Sequence, residues 1–143
     1  MPSFPKPPFT FAYQTTQEID ALREYRDHEP GRKIPDKKDN RLLLATWNVA
    51  NLGLQKREAS DYLVLAEILS WFDLVALQEV NDRLAGLRGI QQFLPGSYKV
   101  LFSDKAGNNE RLVYLYDSAK VTPLEIVGEI AIPPKDHKDI KLP

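Results

Sequence analysis

Apolar and polar positions alternate along the chain with two different periods, and the change of period marks the elements. Leu42-Leu43-Leu44-Ala45-Thr46-Trp47 is a short apolar run bounded by polar residues, which predicts a buried strand. Asn48 to Gly53 reads as a turn-rich exit from it. From Arg57 to Phe72 the apolar residues Ala59, Tyr62, Leu63, Ala66, Leu69 and Phe72 fall on one face at helical spacing. Asp73 then opens a second strand, Leu74 to Val80. Asn81 or Asp82 is placed to cap a further helix through Leu84, Leu87, Ile90 and Leu94, which Pro95-Gly96 ends. Tyr98 to Phe102 and Leu112 to Tyr116 read as strands around a turn-forming cluster, Asp104 to Asn109, and Leu124 to Ile132 is also β-rich.

The beginning of the chain is different. Pro2, Pro5, Pro7 and Pro8 make Met1 to Phe11 an extended arm. Thr16 offers an N-cap, and Ile19, Leu22 and Tyr25 recur at helical spacing before Pro30-Gly31 stops the pattern. Arg32 to Arg41 is a charged loop with almost nothing to bury except Ile34. The expected division is therefore an arm, helix and loop over 1–41 and a core domain over 42–143. The order strand, helix, strand, helix, then mainly strands predicts an α+β (α/β layered) fold with helices packed on a sheet. Periodicity alone goes no further.

Composition narrows the function classes only at the edges. A hydrophobic fraction of 43%, a charged fraction of 27% and 143 residues suit one globular domain. A formal net charge of -1 argues against a polycationic nucleic-acid binder. It leaves a nuclease possible, because a metal ion can supply the positive charge a phosphate needs. The chain has no cysteine, which excludes disulfides, thiolate zinc sites and cysteine nucleophiles. The N-terminus lacks the cationic start and apolar run of a signal peptide, and no stretch approaches the roughly eighteen apolar residues of a membrane span. A cytoplasmic protein without membrane association is the expectation.

Two polar residues stand out because they end strands that read as buried. Asn48 follows Leu42 to Trp47, and Glu79 lies near the end of Leu74 to Val80. If those strands are adjacent and parallel, the two side chains converge at one edge of the sheet. A carboxylate beside a carboxamide suits a hard cation such as magnesium. By spacing alone a solvated Glu and a turn-forming Asn are the more usual reading of the pattern. Glu110-Arg111, entering the strand Leu112 to Tyr116, reads by itself as an exposed ion pair.

Three segments, in order, resemble the endonuclease/exonuclease/phosphatase superfamily, the deoxyribonuclease-I-like fold. They are Ala45-Thr46-Trp47-Asn48-Val49-Ala50-Asn51-Leu52, Asp73-Leu74-Val75-Ala76-Leu77-Gln78-Glu79-Val80 and Glu110-Arg111-Leu112-Val113-Tyr114-Leu115-Tyr116. The likeness covers Leu42 to Ile132. It implies the N-terminal half of a two-sheet β-sandwich flanked by helices. It also implies magnesium, with manganese or calcium as possible substitutes, bound by Glu79 with Asn48 as the second metal-site residue. Asn48, Glu79 and Glu110 would be the catalytic positions, Glu110 by poising a histidine further along the chain, with Arg111 structural. The reaction would be attack of an activated water on a phosphodiester, and a nucleic acid, DNA first, would be the substrate.

The family's domain is about twice as long as this chain. Its catalytic histidines, Asp-x-Asn motif and closing Ser-Asp-His motif would lie beyond Pro143. The chain has only His28, a helix-end residue, and His137, which sits in the charged segment Lys135 to Lys141 and reads as a solvated loop rather than the closing motif. The expectation is therefore a truncated enzyme, inactive alone, whose missing half comes in cis or from another chain. A phosphatase or phospholipase of the same superfamily, or a non-catalytic interaction module on this scaffold, are the alternatives.

Overall fold

A computed structural model describes residues 12–28, 34–104 and 109–124. The proline-rich arm, the Pro30-Gly31 stop, most of the Leu124 to Ile132 segment and His137 lie outside the described residues. What is described is a mixed α+β unit of one four-stranded sheet and three helices.

The helix α1 spans Thr15–Asp27, and strand β1 spans Leu44–Leu52. Helix α2 (Ala59–Ser70) connects β1 to β2 (Leu74–Asn81), and helix α3 (Ala85–Gln91) follows. Strands β3 (Tyr98–Phe102) and β4 (Glu110–Asp117) complete the sheet. Its order is β1-β2-β4-β3, with β1 and β2 parallel and the other pairs antiparallel. A parallel pair needs a crossover, and α2 supplies it.

One face of the sheet is the core. Val49, Leu52, Val75, Leu77, Val80, Val113 and Leu115 pack there with Ala66 and Leu69 of α2 and Leu87 and Ile90 of α3. Leu65 joins this cluster where helical spacing pointed to Leu63. The opposite face carries no helix among the described residues. Along it run Leu44, Leu74 and Tyr116 in one row, then Thr46, Ala76, Tyr114 and Leu101 in the next. Leu44 is 64% exposed and Tyr114 40%. The expectation that Leu42 to Trp47 is a buried strand is thus corrected: Leu42, Leu44 and Thr46 are exposed. Among the described residues β1 is an edge strand of a sheet covered on one face, so its side chains alternate between core and surface. No second sheet occurs among the described residues.

Helix ends differ from the sequence reading where backbone geometry overrides side-chain preference. Gln14, not Thr16, precedes α1, with no side-chain cap. Helix α2 has a capping box in which the Glu58 amide donates to Asp61 Oδ2 at 2.8 Å. Neither Asn81 nor Asp82 caps α3; Leu84 does, in a left-handed conformation with φ 56°. The carboxamide of Asn81 instead accepts the Arg83 amide in a local turn. α3 also sits very close to the end of β1. A Cβ added to Gly86 would come within 2.7 Å of the Gly53 nitrogen and 2.8 Å of Leu52, so that contact requires glycine.

The segment before β1 docks on this unit. Ile19, Leu22 and Arg26 form the half-buried stripe of α1, whereas Tyr25 is exposed. Arg23 makes two hydrogen bonds of 2.8 Å to Glu67 of α2, Arg26 lies over the Trp71 ring, and the Tyr13 hydroxyl donates to Asp61. In the charged loop, Lys37 reaches the base of the sheet, where its ammonium donates to the Tyr98 hydroxyl at 2.6 Å and stands 3.5 Å from Asp73.

Candidate metal site

Parallel pairing places Asn48 directly opposite Gln78, one residue before Glu79. At this level both strands leave regular geometry. The register shifts between Asn48 and Leu52 on one side of β2 and between Leu77 and Val80 on the other. Glu79 has φ 57° and Asn51 has φ 52°, both left-handed. Such conformations are costly for a residue with a long side chain and cheaper for Asn. The expected turn at Asn48 to Gly53 is in fact an irregular continuation of β1, because its backbone still pairs with β2.

The irregularity aims the Glu79 carboxylate back across the strand pair. The Asn48 Nδ2 donates to Glu79 Oε1 at 2.8 Å, and the Asn51 amide donates to Oε2 at 3.1 Å. Each oxygen thus holds one neutral donor and keeps lone pairs for a further ligand. No lysine or arginine among the described residues pairs with Glu79. A surface pocket of about 360 Å³ opens here, lined by Asn48, Gln78, Glu79, Ser103, Glu110, Arg111 and Leu112. All three residues singled out in the sequence, Asn48, Glu79 and Glu110, therefore meet in one place.

Arg111 faces the same pocket but is committed elsewhere. Its Nε and Nη2 donate to Asp82 Oδ1 at 2.9 and 2.7 Å, its Nη1 donates to the Ser103 carbonyl at 2.7 Å, and it lies over the Phe102 ring. It ties the end of β2 to the β3–β4 connection and so fixes the entry of β4, where Glu110 stands. Sequence reading missed Gln78, Ser103 and Asn51. Gln78 binds the Thr46 hydroxyl across the strands, and Ser103 exchanges hydrogen bonds with Leu112. Ser103 follows β3 and comes near Glu79 only through the β3–β4 and β2–β4 pairings together, so no local signal could have found it.

The donor set is suited to a hard cation. It offers two carboxylates, two carboxamides and a hydroxyl, all oxygen ligands, and no thiolate or imidazole. Among the described residues no three His, Cys, Asp or Glu side chains gather into a cage.

The described residues form an α+β unit with a polar pocket, lined by Glu79, Glu110 and Arg111 among others, at the ends of two parallel strands. The chain is similar to a deoxyribonuclease of Thioalkalivibrio sp. (strain K90mix), at 36% identity over 93 residues. That match covers 61% of this chain but only 24% of the relative, so the chain spans about a quarter of that protein's length. No protein-family profile matches the chain. No helix among the described residues is long and apolar enough to cross a membrane.

Proposed function

We propose that this chain carries part of the active site of a magnesium-dependent DNA endonuclease of the endonuclease/exonuclease/phosphatase type. The observation that carries the reading is Glu79, held by two neutral donors in a pocket shared with Asn48 and Glu110. Similarity to a protein named deoxyribonuclease points to the same chemistry.

Glu79 would hold the magnesium ion through its carboxylate, and Asn48 would keep that carboxylate turned into the pocket. The bound ion would supply charge neutralisation at a phosphodiester and a more acidic water. Glu110, at the mouth of β4, is an acceptor suited to orienting a proton-carrying side chain such as a histidine from outside the described residues. Ser103 and Gln78 offer neutral hydrogen bonds to the wall of the pocket. The sheet face that carries no helix among the described residues suits a second sheet packed against Leu44 and Tyr114, completing the sandwich that the resemblance implies.

The test is hydrolysis by the chain and by any longer product of its reading frame. Supercoiled plasmid with magnesium is expected to give relaxed circles with the longer product, and EDTA to stop it. A longer product that spares plasmid yet hydrolyses sphingomyelin or an inositol phosphate would move the assignment to a phospholipase or phosphatase. Failure on all of these substrates would remove the enzymatic reading.

A further inference from the structure

Nearly every side chain around Glu79 has a visible purpose except that of Asn51. Its side-chain amide makes no hydrogen bond among the described residues, yet its backbone does three things. The amide donates to Glu79 Oε2 at 3.1 Å, and the carbonyl accepts the Leu54 and Gln55 amides, starting the turn over Gly53. These roles share one conformation, φ 52°, at the place where β1 and β2 lose register. With Asn51 left-handed, its N–H is directed at this carboxylate while its carbonyl turns to start the next turn.

We propose that Asn51 is a positioning residue whose left-handed backbone, rather than its side chain, holds the Glu79 carboxylate in its metal-binding orientation. The inference rests on the reading of Glu79 as a metal ligand. Glu79 is itself left-handed, so the carboxylate leaves the strand at an angle no regular neighbour would support. Asn48 fixes one oxygen from the side chain and Asn51 fixes the other from the main chain. Asn is suited to the position because, among residues with a β-carbon, it is one of the few enriched in the left-handed region. A β-branched residue would be forced back to extended geometry and would withdraw the N–H.

The discriminating experiment compares Asn51→Val with Asn51→Gly in the full chain. Both variants remove the carboxamide, but only glycine keeps the left-handed conformation, so the difference between them isolates the backbone. Manganese affinity, measured by titration calorimetry, is expected to fall at least about tenfold in Asn51→Val, as for other residues that orient a ligand. It is expected to stay within about threefold of wild type in Asn51→Gly. Equal losses in both variants, or none in Asn51→Val, would overturn the proposal. A metal-independent arm uses the Asn51 amide signal in nuclear magnetic resonance. In Glu79→Ala its resonance is expected to move upfield and its exchange protection to drop. An amide indifferent to Glu79→Ala defeats the positioning role whatever the metal data say. A responsive amide in a protein that binds no manganese supports the positioning role and defeats the metal reading alone.

Discussion

Strand β2 has a carboxylate at each end, and the protein treats the two in opposite ways. Asp73, just before the strand, is fully buried. Its Oδ2 accepts the Leu43 amide at 2.8 Å and the Lys120 ammonium at 3.2 Å, and Lys37 stands 3.5 Å from its Oδ1. Burial pushes the Asp73 carboxyl up, but the Leu43 amide, Lys120 and Lys37 outweigh it and hold it below the usual carboxylate range. Lys120 also donates to the carbonyls of Lys38 and Arg41, so this end of the sheet is tied to the loop before β1. Glu79, at the other end, is half-buried and held by neutral donors only. A carboxylate neutralised by the protein's own cations is architecture. One held by neutral donors only is what the proposed metal-binding role of Glu79 requires.

The contrast breaks most visibly at Asp73. Asp73→Ala strips the countercharge from two lysines and the acceptor from Leu43, and about 3 kcal/mol of stability is expected to go, read from urea denaturation. Next comes Glu79→Ala, where the loss is expected in manganese affinity, at least about tenfold, with little change in the urea midpoint. Glu79→Gly sharpens the point. Relief of the left-handed glutamate should leave stability within about 1 kcal/mol of wild type while metal affinity disappears. If Glu79→Gly instead unfolds the chain, Glu79 belongs with Asp73 as architecture.

Acid gives a second handle on the same difference. Asp73 has a folded value below its unfolded value of about 3.9, so the unfolded chain binds more protons there. Its contribution is present above that unfolded value and is lost as pH falls through the folded one. Wild type should therefore lose stability steeply below about pH 4, and Asp73→Asn should show a shallower acid limb of the urea midpoint. Asn48→Ala is the mildest change. A several-fold drop in manganese affinity is expected with stability unaltered within about 0.5 kcal/mol, since the pair is exposed.

Much of this could be read from the linear chain, for a physical reason. Asn48 and Glu79 stand out because polar residues at the ends of apolar strands interrupt a pattern that burial otherwise enforces. Amphipathic spacing likewise announced α2, and the order of elements announced a layered α+β fold. Interactions that depend on distant parts of the chain meeting left no local mark. Lys37 looked like one charge among many in a solvated loop until the fold carried it to Asp73 and Tyr98. Asp82 looked like a helix cap until Arg111 arrived from β4. Asn51 looked like a turn former, and only the matched loss of register in β1 and β2 gave its backbone amide a carboxylate to hold. Periodicity and composition determined which residues could be buried, and the two strand-end polar residues followed from that. The pairing of β1, β2 and β4 decided which polar groups share a pocket, because hydrogen-bond geometry is set by strands far apart in sequence.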